Sequence, residues 1–339
     1  MAVSDPSSLA TVSSQFAGDW IAALRTCCTP AQLSDFLQRS GMHTAQGRFA
    51  SRVTLDQIVR LYQIAAVETG DEMMGLWSRP IRARALQHLL TTVREASTLP
   101  SALHRFSTFW NLLLDDYRFH LANGGGRLTL NLVPRGSQPV QRFGHMLILK
   151  LAHGLLSWLA GYEVPVQAVQ FAFERPGFAG DYSVIFPAQV GFQAPQSAIS
   201  FEMEQLGVAE ARSTAELKAF LNRAPRDWIF TGFREHAQSL RVREFLYRTS
   251  WEDSHLADAA AALHVTPRTL MRRLDAEDTS FQAIKDGLRR DMAIRDLQAG
   301  SKSIEEVSQD VGFSSAANFH RAFRRWTGVT PGSYRKRES

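Results

Sequence analysis

Two stretches near the C-terminal end of the chain repeat one another. LADAAAALHVTPRTLMRRLDAED (Leu256–Asp278) aligns with IEEVSQDVGFSSAANFHRAFRRWT (Ile304–Thr327) at an offset of 48, which becomes 49 past a turn. Leu256, Ala259, Leu270 and Leu274 of the first copy correspond to Ile304, Val307, Phe319 and Phe323 of the second. Apolar residues three or four apart mark a helix with one buried stripe. Between the two stripes, His264-Val265-Thr266 answers to Gly312-Phe313-Ser314. Each copy therefore reads as helix, tight turn, helix.

The ends of these helices carry their own signals. Ser303 and Glu306 have the spacing of a capping box, and Thr266 before Pro267 gives an N-cap and a helix-starting proline. Gly312 can take the positive φ of a sharp turn, whereas His264 at the matching place must bear that strain or use another geometry. Thr279 and Gln282 open an intervening helix that runs to about Leu297 and stops at Gly300. At about 1.5 Å per residue it is ~27 Å long, enough to hold two recognition helices about one DNA turn, ~34 Å, apart.

With Leu270/Leu274 and Phe319/Phe323 on the buried stripe, another face of each second helix carries Arg268, Met271 and Arg272 in the first copy and Ala316, Ala317, Asn318 and Arg321 in the second. A helix-borne arginine can donate two hydrogen bonds to guanine, and an asparagine can pair with adenine. Met271 is divided between thymine-methyl contact and plain packing, and Trp326 reads as packing. Lys302, Arg289, Arg290, Arg324, Arg325 and the tail Arg335-Lys336-Arg337 are candidates for phosphate contacts, which hold register and make affinity salt-dependent.

A formal charge of +5 and a pI near 9.5 suit an anionic partner. From Arg234 onward, however, 18 Lys+Arg face 15 Asp+Glu, so a DNA-binding face has to come from clustering rather than excess. The two cysteines, Cys27 and Cys28, are adjacent, a poor geometry for a disulfide and far short of a zinc set; with no basic, apolar leader at the start, a reducing cytoplasmic setting is expected. FGHMLILKLAHGLLSWL (Phe143–Leu159) is interrupted by His145, Lys150 and His153 and reads as a buried helix, not a membrane span. Its row Phe143, Leu147, Leu151, Leu155 suits a core or part of a dimer surface.

Before Arg127 the pattern is helical, around Ala31–Arg39, Thr54–Val67, Pro80–Ala96 and Ser101–Leu121, with Pro80 suited to the first position of its helix. RLTLNLVP (Arg127–Pro134) then alternates with the two-residue period of a strand. The long apolar helix follows, then a strand at Pro165–Phe173, a short helix near Gly180–Phe186, and a hairpin of strands near Gln189–Phe192 and Ala198–Phe201. Phe106, Phe109, Trp110, Tyr117 and Phe119 read as core, and Asn123-Gly124-Gly125-Gly126 as a flexible turn. His145 and His153 lack a neighbouring Cys/Asp/Glu set, so no metal or other cofactor is expected. No G-x-S-x-G, H-E-x-x-H or paired-cysteine site points to an enzyme.

The segment from about Arg234 to Arg337 resembles the DNA-binding domain of AraC/XylS-type transcription regulators, on DVGFSS followed by FHRAFRRWTGVTPGSYR and the degenerate copy before it. The resemblance implies seven helices, two helix-turn-helix units and a linking helix. By position it places Arg268, Met271 and Arg272, then Ala316, Ala317, Asn318 and Arg321, where the family reads bases. Two alanines make the second helix the less discriminating reader. FERPGFAGDYSVIFPAQVGFQAPQSAISFEMEQL (Phe173–Leu206) is similar to the arabinose-binding domain-like sensor of an AraC subgroup, which implies response to an effector but not to arabinose itself.

The expected architecture is an α+β N-terminal sensor domain followed by an all-α DNA-binding domain with two helix-turn-helix motifs. Residues 1–224 form the sensing and dimerisation domain, 225–233 a linker and 234–339 the DNA-binding domain. The expected function is sequence-specific regulation of transcription, as an effector-responsive activator of a catabolic operon. The partners are double-stranded promoter DNA, RNA polymerase, a small-molecule effector and a second copy of the chain, with no membrane. The rivals are a constitutive dimeric DNA binder that senses nothing and an enzyme fused to a DNA-binding module.

Overall fold

The computed structural model of the chain describes residues 11–42, 52–136, 141–186, 188–229, 238–249, 251, 254–275 and 279–338. These divide into two compact units: residues 15–40 with 58–229 form one, and the residues from 238 onward form the other, with which β1 (Thr11–Ser13) and β2 (Arg52–Thr54) also group. β1 and β2 pair antiparallel, Val12 opposite Val53.

The first unit opens with α1 (Gly18–Cys27), α2 (Pro30–Ser40), α3 (Leu55–Glu68, from Ile58 on), α4 (Ala85–Val93) and α5 (Leu99–Leu113). β3 (Tyr117–Gly124) and β4 (Arg127–Pro134) follow as a hairpin whose turn puts Gly125 and Gly126 at positive φ. Then come α6 (Arg142–Ala160), β5 (Ala168–Gln170), α7 (Tyr182–Ile185), β6 (Val190–Gly191), β7 (Ser197–Glu202), α8 (Thr214–Asn222) and α9 (Arg226–Ile229). The sheet order is β3-β4-β7-β5-β6, antiparallel except for the β5–β6 pair. Helices and a mostly antiparallel sheet make this unit α+β.

Several local expectations are corrected. The helix expected over Ser101–Leu121 ends at Leu113, and β3 follows it: Tyr117 and Phe119 are buried while Arg118 and His120 face out, a period of two. The expected hairpin of the last two strands does not form, because β5 lies between β6 and β7 and pairs with both. The strand expected over Pro165–Phe173 keeps only three residues. Pro80 does not start a helix: α4 begins at Ala85, where the Glu72 carboxylate accepts from the Arg84 and Leu86 amides and so replaces a local cap.

α6 is buried on nearly every side, and Phe143, Leu147, Leu151 and Leu155 are at most 2% exposed, so the row belongs to the core. This helix is long and apolar enough to cross a membrane, yet it is enclosed by the protein. It starts at Gln141, whose side chain accepts from the Phe143 and Gly144 amides, and ends at Gly161 in the left-handed conformation. Mid-helix Gly154 is explained by packing: a Cβ there would lie 2.6 Å from Trp228 Cα on α9.

Two histidines are buried on α6. His145 Nδ1 lies 2.7 Å from Ser197 Oγ, its Nε2 has no partner, and burial pushes its pKa down to about 3. His153 Nε2 donates to the Val164 carbonyl at 2.9 Å, and its Nδ1 faces Lys150 Nζ at 3.0 Å. Among the described residues no three His, Cys, Asp or Glu side chains gather as metal ligands.

The second unit is helical: α10 (Gln238–Arg248), α11 (Leu256–Ala262), α12 (Pro267–Asp275), α13 (Phe281–Ala299), α14 (Ile304–Asp310), α15 (Ala316–Thr327) and α16 (Pro331–Glu338). It has two cores. Val242, Leu246, Ala259, Leu270 and Leu274 pack with Ile284 and Leu288 from the first half of α13. Val307, Val311, Phe319, Phe323 and Tyr334 pack with Ala293, Ile294 and Leu297 from its second half. α13 is thus the shared wall of both motifs, about 28 Å long at ~1.5 Å per residue. Ser280 caps it, accepting from the Ala283 amide in the role expected of Thr279, and Gly300 ends it in the left-handed conformation.

Candidate nucleic-acid interface

The two helix-turn-helix turns are built alike. His264 N donates to Ala261 O and Val265 N to Ala260 O; Gly312 N donates to Gln309 O and Phe313 N to Ser308 O. This paired pattern at a helix C-terminus is a Schellman motif, which needs a left-handed residue just past the cap. Gly312 takes φ 75° without a Cβ, and His264 bears the strain at φ 56°. Their surroundings differ. A Cβ on Gly312 would lie 2.8 Å from Trp251 Cδ1 and closer still to Trp251 Cβ and Cγ, whereas His264 is exposed.

α12 and α14 are capped at their starts, and both second helices, α12 and α15, are held on one face. Thr266 Oγ1 accepts from the Thr269 amide, with Pro267 at the first helical position of α12. Ser303 and Glu306 form the reciprocal capping box of α14. Leu270 and Leu274 on α12 and Phe319 and Phe323 on α15 are at most 1% exposed. The opposite face of α12 presents Arg268, Met271 and Arg272 to solvent, Met271 being 46% exposed despite its apolar side chain. On α15, Ala317, Asn318 and Arg321 are exposed and Ala316 is half-buried. Arg321 Nη2 donates to Asn318 Oδ1 at 2.6 Å, one turn back on the same helix. Trp326 packs against the second core beside Phe313.

Several candidate phosphate ligands are engaged within the unit. The Arg289 guanidinium lies 4.9 Å from the ring centres of both Trp251 and Phe313, and its Nη2 donates to the Gly312 carbonyl at 3.1 Å. Burial lowers its pKa, against the opposing pull of Asp286. Trp251 Nε1 donates to the Asp310 carbonyl at 2.7 Å, so one indole and one guanidinium join the segment before α11 to the second turn. Arg290 pairs with buried Asp291, which also holds Arg243 of α10. Lys302 sits between Asp296 at 2.8 Å and Asp310 at 2.6 Å, and Arg335 donates to the Lys302 carbonyl. Arg324, Arg325 and Lys336 are exposed. The side chain of Arg337 lies outside the described residues.

Between α13 and α15 runs a groove of about 480 Å³. Its lining carries three guanidinium groups, Arg289, Arg321 and Arg325, against one carboxylate, Asp286. Gln282 Nε2 donates to Asp286 Oδ1 at 3.0 Å, and Arg325 Nη2 to Asp286 Oδ2 at 3.1 Å. Neither Asp286 nor Trp251 stands out in the sequence. Both act on residues far away in the chain, beyond the reach of the three- and four-residue spacings that reveal a helix face.

A family model described as the arabinose-binding domain of AraC transcription regulators, N-terminal, matches residues 31–207, and a helix-turn-helix domain model matches residues 259–337. An ornithine utilization regulator of Pseudomonas aeruginosa is 26% identical over 247 residues, 72% of this chain and 72% of its own length. A urease operon transcriptional activator of Escherichia coli is 38% identical over 81 residues, 24% of this chain and 27% of its own. Among solved structures, the transcriptional regulator CdpR of Pseudomonas aeruginosa is 22% identical, covering 95% of this chain and 97% of its own, with a TM-score of 0.33.

Proposed function

The chain belongs to the AraC family of transcription regulators, and from that premise we propose that it is an effector-responsive activator of a catabolic operon, working in the cytoplasm as a homodimer. It is a DNA-binding regulator and not an enzyme. Residues 1–224 would sense a small molecule and dimerise, 225–233 would link, and 234–339 would bind promoter DNA and engage RNA polymerase there. The names of two relatives, an ornithine utilization regulator and a urease operon activator, support the catabolic and activating parts of this reading. An effector acts only through its differential affinity for two arrangements of the protein. Native mass spectrometry of the purified full chain tests that part: a co-purified small molecule supports it, and an empty chain that no amino acid, aromatic acid, fatty acid or sugar stabilises in thermal shift counts against it.

The observation that carries the DNA reading is that α12 and α15 each bury one face completely and leave the opposite face exposed. On it Arg268, Met271 and Arg272, and Ala316, Ala317, Asn318 and Arg321, are the proposed base readers. Of the phosphate candidates, Arg324, Arg325 and Lys336 keep that role. Arg289, Arg290, Lys302 and Arg335 are assigned to holding the unit together, since their donors already meet acceptors inside it and they are less exposed than Arg325, which also meets Asp286 but stands 69% exposed. Arg321→Ala is expected to cost about 1–3 kcal/mol in specific binding and to relax one base position. Selection of binding sites from random duplexes at constant salt checks this, and an unchanged preference would refute the assignment.

A further inference from the structure

The groove between α13 and α15, lined in part by the proposed base readers Asn318 and Arg321, also holds an ion pair set between the two helices. Three guanidinium groups line it, and one carboxylate, Asp286, opposes them. That carboxylate is fixed on both oxygens: Oδ1 by Gln282 and Oδ2 by Arg325. Its side chain is 24% exposed while that of Arg325 is 69% exposed, so the acid is set back and the cation stands at the mouth. Asp286 and Gln282 lie on α13, and Arg325 on α15. The ion pair is therefore a contact between helices that α15 could make only by turning Arg325 toward the groove.

We propose that this groove is a seat for a DNA backbone phosphate, taken by Arg325, and that Asp286 is a built-in competitor holding Arg325 until a phosphodiester displaces it. A phosphate oxygen and a carboxylate oxygen make the same charge-assisted bonds to a guanidinium, so the two compete for one group. Asp286 cannot leave with its partner, because Gln282 anchors it to α13. It stays in place, ready to retake Arg325 when the phosphate leaves. Asp286 thereby weakens sequence-independent attraction to any duplex by holding a phosphate-facing arginine and not a base reader, which widens the margin of specific over non-specific binding. The inference rests on the DNA-binding reading given above.

The test uses the full chain, a random-sequence 40-base-pair duplex and titrations over a range of salt concentrations. An exposed ion pair is worth ~0.2–1 kcal/mol, so Asp286→Asn should tighten binding by about 1.4- to fivefold at ~0.1 M salt. One phosphate contact freed of its competitor steepens the plot of log K against log salt by up to ~0.9. Arg325→Ala should weaken binding and flatten that slope. In the double variant the gain from Asp286→Asn should vanish, because the guanidinium that Asp286 holds is gone. A gain that persists without Arg325 would mean a general charge effect and would overturn the proposal, as would affinity and slope unchanged by Asp286→Asn. Failure of the unaltered chain to bind any duplex would instead overturn the DNA-binding reading itself. Circular dichroism of each variant, matching that of the parent, confirms that the comparison is between folded proteins.

Discussion

Gly312→Ala isolates the physics of the second turn. The residue sits at φ 75°, where any Cβ costs about 1–2 kcal/mol. The added methyl would also meet Trp251, with Cδ1 at 2.8 Å and two ring-root atoms nearer, and overpacking of this kind costs about 1–3 kcal/mol. Trp251 cannot swing aside freely, because its Nε1 donates to the Asp310 carbonyl and its ring stacks on Arg289. The two terms together give about 2–5 kcal/mol, lost locally from α14 and α15. Hydrogen exchange of the full chain, read by mass spectrometry on peptides within 304–327, should then quicken by about thirtyfold to a few thousandfold, since 1.4 kcal/mol corresponds to a factor of ten. The sister position has the opposite sign. His264 is exposed and already strained at φ 56°, so His264→Gly should relieve up to about 1 kcal/mol and slow exchange within 256–275. Exchange in Gly312→Ala equal to that of the parent would refute the reasoning, and so would destabilisation by His264→Gly.

Arg289→Met keeps an unbranched apolar stem and removes the charge that stacks between Trp251 and Phe313. Two cation–π contacts at ~0.5–1 kcal/mol each, with the bond to Gly312 O, predict a loss of about 1–3 kcal/mol in unfolding experiments and no change in the salt slope of DNA binding; a slope lower by ~0.9 at unchanged stability would make Arg289 a phosphate ligand instead. Acid sensitivity of the first unit should trace to His145, whose pKa burial lowers from about 6.5 to about 3. Between those values the unfolded chain binds a proton that the folded chain refuses, so stability rises with pH across the window and falls by about 2 kcal/mol from pH 6.5 to pH 5. His145→Gln should flatten this dependence in denaturant titrations, and identical pH profiles for the two proteins would exclude His145 as the source.

The helix-turn-helix pair is legible in the sequence because its determinants are local. The Ser303–Glu306 box, the Thr266–Pro267 start and the stripes Leu270/Leu274 and Phe319/Phe323 each depend on residues within one or two turns of each other. The sheet of the first unit is less legible. β5 and β6 are three and two residues long, too short for alternation to show, and the pairing of β5 with β7 joins segments separated by the whole α7–β6 excursion. β3 is a different case: Tyr117, Phe119 and their exposed neighbours do alternate, but the strong helical run before them extends the apparent helix past its true end at Leu113.

The exposed face of α12 and α15 likewise follows from sequence, since a helix that buries one stripe must offer the other side. How each arginine is used does not follow. Arg289, Arg321 and Arg325 are the same residue type on two neighbouring helices, yet one is stacked between rings, one is held by an asparagine of its own helix, and one is tied to an aspartate of another. A guanidinium's role depends on which acceptors and rings the fold brings within a few ångströms. Periodicity encodes which face a side chain occupies, but only the packing of α13 against α15 and Trp251 decides what that face meets.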